Sequence, residues 1–236
     1  MRIGLACFPC RNRDVSFNLA QIGRAMRAAR GRADLLCFGE AFLQGFDALC
    51  WDYETDRRTA VTQDSAPMRQ LRAWTEEYGV ALLTGYLERA EDRLYSSCAV
   101  LADGGILHNY RRISRGWKEF RRTDGHYREG DDTAPFRFRD KQITIALCGD
   151  LWDAPERFRT GGLLVWPVYC SYSPAEWEAE QLSAYAAQAA LAADRTLMVN
   201  VLDEGGDSHG GCCLFRNGQT ADRLPFGEEG ILYVTV

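Results

Sequence analysis

The residues of this chain predict an α/β fold in which helices cover the outer faces of sheets. Two patterns carry that expectation: short apolar runs alternate with windows of helical periodicity, and a strand-helix-strand order near the N-terminus recurs further along. No low-complexity stretch or internal linker interrupts the pattern, so residues 1–236 are expected to form one domain.

The elements follow in order. "RIGLACF" reads as an opening strand. Asp14 can cap a helix that carries Phe17, Ile22, Met26 and Ala29 on one face up to Arg30, and "ADLLCFGE" is then a short buried strand. A second helix, "APMRQLRAWTEEYG", stops at Gly79 and feeds the strand "VALLTGYLE". Two alternating runs, "YSSCAVL" and "ILHNYRRIS", are joined by "ADGG", a hairpin signal. From Arg115 to Pro135 the chain is polar, without a period, and a stretch of that length inside a domain is usually functional or misread. Then come the strand "QITIALCGD", the short helix "APERFRTGG", the strand "LLVWPVYC", the long Ala-rich helix "AEWEAEQLSAYAAQAALAADR" and the strand "TLMVNVLD". Two strands around an "NG" turn and a last strand close the chain.

Composition narrows the function. A formal charge of -5 argues against a nucleic-acid partner, since the cluster from Arg111 to Arg128 is interrupted by Glu119 and Asp124 and followed by Glu129. No apolar run approaches the ~20 residues of a membrane helix, and "MRIGLACFPCRNRD" meets charge too early for a signal peptide, so no membrane partner and a cytoplasmic location are expected. Nine cysteines, several inside apolar runs, read as reduced core thiols. Cys7 and Cys10 form one CxxC without a second ligand pair, so no metal site is expected, and a redox role for that pair is a weak reading.

Reactive side chains in α/β sheets collect beyond strand ends. Three such ends carry a polar residue: Glu40 after "LLCFG", the segment around Lys118 after "YRRIS", and Cys148 after "ITIAL". A thiol needs a base or a nearby cation to become a nucleophile, and none of the three histidines sits in a recognisable cysteine-protease signature. Glu40 in its apolar setting is the candidate base. Lys118 and the Gly149 N–H are the candidate donors to a developing oxyanion. Trp152, Tyr172 and Trp177 are possible pocket residues, and Asp150 is expected to fix the turn after Cys148.

These residues carry a resemblance that runs nearly end to end. "NLAQIGRAMRAARGRADLLCFGEAFLQGF", "DGGILHNYRRIS", "ITIALCGDLWDAPE" and "HGGCCLFRNGQTADRLPFGEEGILYV" resemble successive motifs of the nitrilase, or carbon-nitrogen hydrolase, superfamily. The resemblance implies an αββα four-layer sandwich, a Glu-Lys-Cys triad and pairing into a homodimer or higher homo-oligomer. It implies cysteine-dependent hydrolysis, through a thioester, of a small linear amide or N-carbamoyl compound, without cofactor. Carried over by position, Glu40 is the base and Cys148 the nucleophile. The family's lysine position holds Arg112 here, so the cation comes from Lys118, the nearest lysine, or from Arg112, or the triad is incomplete. Lys118 is preferred because an ammonium is a compact point charge. The family's second glutamate has no clean match, with Glu119 and Asp124 as local options. An arginine of the 111–128 loop is a possible partner for a substrate carboxylate. The competing reading is a catalytically impaired protein of this fold that serves as a small-molecule or protein binding module.

Overall fold

In the computed structural model, which describes residues 1–236, the apolar runs pair into two six-stranded sheets. The first half of the chain contains β1 (Arg2–Cys7), β2 (Pro9–Cys10), α1 (Val15–Ala29), β3 (Leu35–Cys37), α2 (Tyr53–Thr59), α3 (Ala66–Tyr78), β4 (Ala81–Ala90), β5 (Arg93–Ala102) and β6 (Gly105–Arg111). The second contains β7 (Phe136–Phe138), β8 (Lys141–Ile145), α4 (Asp150–Asp153), β9 (Leu163–Val168), α5 (Pro174–Glu176), α6 (Leu182–Ala190), β10 (Arg195–Asn200), β11 (Leu202–Asp203), β12 (Cys212–Arg216), β13 (Gln219–Leu224) and β14 (Gly230–Thr235). One sheet runs β14-β1-β3-β4-β5-β6 and the other β13-β12-β10-β9-β8-β7, with β2 and β11 forming a short third ladder.

Period-two alternation within buried strands explains the layering. Ile3, Leu5, Leu35, Cys37, Leu83, Cys98 and Val100 share one core with Ile145, Val165, Leu197 and Val199 of the second sheet. Their neighbours Ala6, Leu36, Leu82, Ala99 and Leu101 pack instead with Ile22 and Met26 of α1 and with Met68 and Leu71 of α3. Tyr185, Ala186 and Ala189 of α6 cover the far side of the second sheet. The result is the expected αββα sandwich. It also separates Cys7 from Cys10, which lie in the inter-sheet and the helix-facing cores respectively.

Most predicted elements form where the patterns put them. The Asp14 carboxylate accepts the Phe17 N–H at 2.9 Å, and Gly79 ends α3 in the left-handed conformation. Three features escaped. The ladder strands β2 and β7 are two and three residues long, too short for a period to register. The α2 sequence "YETDRRT" has no apolar stripe, only a buried Asp56, so it offered no helical signal. The Ala-rich helix is interrupted by a π-helical turn, Trp177–Gln181, between α5 and α6.

Asp14 and Ser65 both stand at helix N-termini, but the Ser65 hydroxyl caps nothing and has no partner. Asp14→Ala is expected to lower stability by about 1 kcal/mol in urea unfolding, and Ser65→Ala to leave the midpoint nearly unchanged. Equal losses at the two positions would contradict this account.

Candidate active site

The site begins where the chain leaves β3. Phe38 donates its N–H to Leu83 at 2.8 Å and Glu40 donates its own to Val168 at 3.3 Å, so this turn bridges the two sheets. The fit against β4 is close: a Cβ on Gly85 would stand 2.4 Å from the Ala41 nitrogen and 2.7 Å from the Glu40 Cα. Two side-chain amides hold the turn from outside. Gln44 exchanges hydrogen bonds with the Leu87 backbone at 2.9 Å, and Asn18 of α1 donates to the Leu43 carbonyl at 3.2 Å. Glu40 is consequently fully buried, and its carboxylate accepts from Ser96 Oγ at 2.7 Å and from Arg112 Nη1 at 2.9 and 3.1 Å.

Cys148 arrives from the other sheet. It occupies a sharp turn between β8 and α4 with φ of 40°, a region that a residue with a Cβ enters only when its surroundings compel it. The compulsion is visible on both sides. The Cys148 N–H donates to Pro167 at 2.9 Å, Trp166 Nε1 donates to the Cys148 carbonyl at 2.9 Å, and Sγ lies 3.4 Å from the Tyr169 carbonyl. Glu40 and Cys148 are thus both anchored on the end of β9, at residues 167–169. The buried Asp150 carboxylate accepts the Leu147 N–H at 2.8 Å within the turn, as the sequence suggested. It also reaches across to the Ile113 N–H at 3.1 Å, the Ser114 N–H at 2.8 Å and the Tyr110 hydroxyl at 2.5 Å. One carboxylate therefore locks the cysteine turn to the strand end that carries Arg112.

Arg112 divides its donors among three tasks. Nη1 holds Glu40, Nε donates to Ser114 Oγ at 2.7 Å, and Nη2 has no partner and faces the turn, where a Cβ on Gly149 would lie 2.5 Å from it. The Gly149 N–H also has no acceptor within the chain. Two unpaired donors therefore stand at the cysteine turn. Burial opposes the guanidinium charge, yet Glu40, Cys148 and Asp150 hold its proton more firmly than usual. The same groups set the thiol: burial first, then Glu40, push Cys148 up to about 11, against the pull of Arg112 and the Tyr169 backbone. The resting sulfur is a protonated thiol next to a carboxylate.

Glu40, Arg112, Cys148 and Gly149 converge, and Lys118 and Glu119 do not. The Lys118 ammonium contacts Glu129 at 2.7 Å and donates to the Tyr127 carbonyl at 2.6 Å, partners that belong to its own loop. Arg112 takes the place beside Glu40 because it lies two residues beyond Tyr110 on the same core-facing side of the strand, whereas Lys118 lies past a 3₁₀ turn that carries it away. Glu119 is exposed, and its Oε1 accepts only the Arg121 N–H, at 3.4 Å. The unperiodic 115–135 segment is ordered all the same, through hydrogen bonds of Leu94 with His126 and Arg128 and of the Tyr127 hydroxyl with Asp56. Ser96 and Ser114 escaped sequence reasoning. The signal for Ser96 was present, as one of two adjacent serines inside a buried strand.

Beside Cys148 opens a cavity of about 560 Å³ between β9, α4 and α6. Trp152, Tyr169, Tyr172 and Tyr185 line it, together with Gln181. Trp177 is buried behind this wall, stacked on Phe226 with centroids 4.1 Å apart. The loop arginines are engaged elsewhere: Arg111 pairs with Glu88 at 2.9 Å and Arg122 donates to the Cys50 carbonyl at 2.8 Å. At the hydroxyl end of Tyr169, 3.1 and 3.0 Å from it, are Asp47 and Asp203, which with Asp207 form the one acidic group close enough to hold a cation.

The family model described as carbon-nitrogen hydrolase matches residues 3–236, and the chain belongs to that family. The chain is 29% identical over 150 residues to a glutamine-dependent NAD(+) synthetase of Thermotoga maritima, covering 61% of this chain and 24% of that protein. It is 26% identical over 159 residues to an (R)-stereoselective amidase of a Pseudomonas species, covering 67% of this chain and 55% of the relative. The chain thus spans only part of both curated relatives. Among solved structures, the CN-hydrolase superfamily protein XC1258 of Xanthomonas campestris superposes with a TM-score of 0.80 at 18% identity, over 100% of this chain and 90% of that one. An amidase from Nesterenkonia superposes at 0.77 and 20% identity, over 99% and 89%.

Removing one partner of a buried ion pair leaves the other charge unsolvated. Arg112→Met is expected to cost about 3–5 kcal/mol in denaturant unfolding, and the added change Glu40→Gln to recover part of that loss. The thiol gives a second check. Alkylation of Cys148 by iodoacetamide should rise steadily with pH, with a midpoint near 11 and no plateau near neutrality. Because Glu40 pushes the thiol up, Glu40→Gln should move that midpoint downward, and an unchanged profile would contradict the electrostatic assignment.

Proposed function

We propose that this chain hydrolyses a non-peptide carbon-nitrogen bond of a small linear amide or N-carbamoyl compound, with Cys148 as nucleophile, Glu40 as proton carrier and Arg112 in the role the family gives to lysine. The observation that carries this reading is the pair of unpaired donors, Arg112 Nη2 and the Gly149 N–H, at the cysteine turn. Donors fixed in advance stabilise charge that develops only in the transition state.

The steps follow from the resting state. As Sγ attacks the substrate carbonyl carbon, Glu40 accepts the thiol proton, so no free thiolate has to accumulate. The carbonyl oxygen becomes an oxyanion facing the Gly149 N–H and Arg112 Nη2. Protonated Glu40 passes its proton to the leaving nitrogen, the C–N bond breaks, and ammonia or an amine departs from a Cys148 thioester. Glu40 then takes a proton from water as the hydroxyl adds to the thioester carbon. Collapse of that intermediate breaks the C–S bond, and the sulfur recovers its proton from Glu40. Each proton and electron pair is supplied by Cys148, Glu40, water and the substrate.

Arginine suits the cation role here for a geometric reason. A guanidinium has donors on three nitrogens in a fixed plane, so it can hold Glu40, bond Ser114 and still present Nη2 to an oxyanion. The departure from lysine is also the one observation that favours a non-catalytic binding role for this fold. Assembly into homodimers, expected from the resemblance, belongs to the proposal as well.

Ammonia release from a panel of small amides and carbamoyl compounds separates the readings. Cys148→Ala should abolish turnover with the fold retained, and Arg112→Met should lower kcat by about 10²–10³-fold, the usual cost of losing an oxyanion donor. Lys118→Met should leave kcat within a few-fold of the parent. Retained activity in Cys148→Ala, or a large loss confined to Lys118→Met, would overturn the assignment.

A further inference from the structure

The cavity at Cys148 has a composition that the proposed reaction does not explain. Its walls are the rings of Trp152, Tyr169, Tyr172 and Tyr185, its one amide is Gln181, and no charged side chain lines it. Three of these rings form a connected array, and Tyr169 stacks separately on Phe46. Trp152 and Tyr185 meet edge to face with centroids 5.1 Å apart, Tyr172 meets Tyr185 edge to face at 6.2 Å, and Trp166 stacks behind Tyr185 at 5.0 Å. Such a wall is shaped by ring-ring contacts before any ligand arrives.

Two consequences follow for whatever occupies the space. First, a group entering it loses water and gains ring faces and edges, which favours a flat apolar group over an alkyl stub or a polar chain. Second, Arg112 Nη2 stands at the cysteine turn, where the proposed reaction gives it to the carbonyl oxygen, and no cationic side chain lines the wall beyond it, so a carboxylate there would lack a partner. Arg111 is paired to Glu88, Arg112 Nη1 to Glu40, and Lys118 to Glu129. At the Tyr169 edge of the wall the charges have the wrong sign, since its hydroxyl stands between Asp47 and Asp203. Burying a carboxylate without a partner is costly.

From this we infer that the substrate is an amide carrying an uncharged aromatic group on its acyl side, and that amides bearing a carboxylate, glutamine included, are rejected. The inference rests on the proposed amide hydrolysis and names its substrate class. It also separates this chain from its partial relative that is glutamine-dependent. Trp152 is the residue best placed to decide the preference, because it is a wall of the cavity and yet 42% exposed, at its mouth.

The test uses the full chain in two arms, with phenylacetamide, propionamide and L-glutamine as probes. In the turnover arm, kcat/KM for phenylacetamide should exceed that for propionamide by about tenfold and that for glutamine by about a hundredfold. Trp152→Ala should erase most of the first ratio by raising KM for phenylacetamide. In the binding arm, saturation-transfer NMR on Cys148→Ala should detect phenylacetamide and not glutamine. Glutamine binding as well as or better than phenylacetamide, or neither binding, overturns the substrate class even if other amides are hydrolysed. Phenylacetamide binding without turnover of any amide by the parent chain supports the pocket assignment while rejecting the catalytic one.

Discussion

The buried ion pair between Glu40 and Arg112 is the interaction around which the rest of the structure is arranged. Two charges withdrawn from water are tolerated only when geometry and extra hydrogen bonds satisfy them together. The neighbouring sequence supplies those conditions: Ser96 donates to Glu40, Ser114 accepts from Arg112, and Gly85 leaves the space in which the Glu40 turn closes on β4. Residues 72 apart in the chain are thereby held at hydrogen-bond distance.

Two anchors then bring the cysteine to that pair. The end of β9 receives Glu40 from one sheet and Cys148 from the other, so the inter-sheet packing itself fixes how far apart the carboxylate and the sulfur stand. Asp150 fixes the orientation by bonding the turn on one side and the residues after Arg112 on the other. The left-handed backbone at Cys148 is maintained by these bonds. Strain of this kind persists only where the surroundings over-determine it, and it aims the sulfur out of the core towards the aromatic cavity.

Legibility differed between the parts of the site for physical reasons. Glu40 and Cys148 were legible because each follows an apolar run, and the chain positions that follow strands are set locally. The cation that pairs with Glu40 was not legible from charge type, because reach along the strand decides between Lys118 and Arg112. Alternation along β6 would have settled it: Tyr110 faces the core, Arg111 points to Glu88 on the opposite face, and Arg112 returns to the interior. Asp150 was legible as a turn residue but not as a clamp, since its partners Ile113 and Ser114 belong to another sheet's strand end. The aromatic wall was half legible, with Trp152 and Tyr172 at the cavity and Trp177 buried behind it.

By itself, the sequence determined the α/β alternation, the hairpin turns and the placing of a glutamate and a cysteine at strand ends, because these depend on side-chain period and local backbone chemistry. Which cation completes the site, what the thiol experiences and what kind of pocket it opens on were decided only by tertiary structure. Those properties arise from burial and from contacts across 56 to 72 residues of chain, as in the bonds of Ser96 and Arg112 to Glu40, and no local window of sequence contains them.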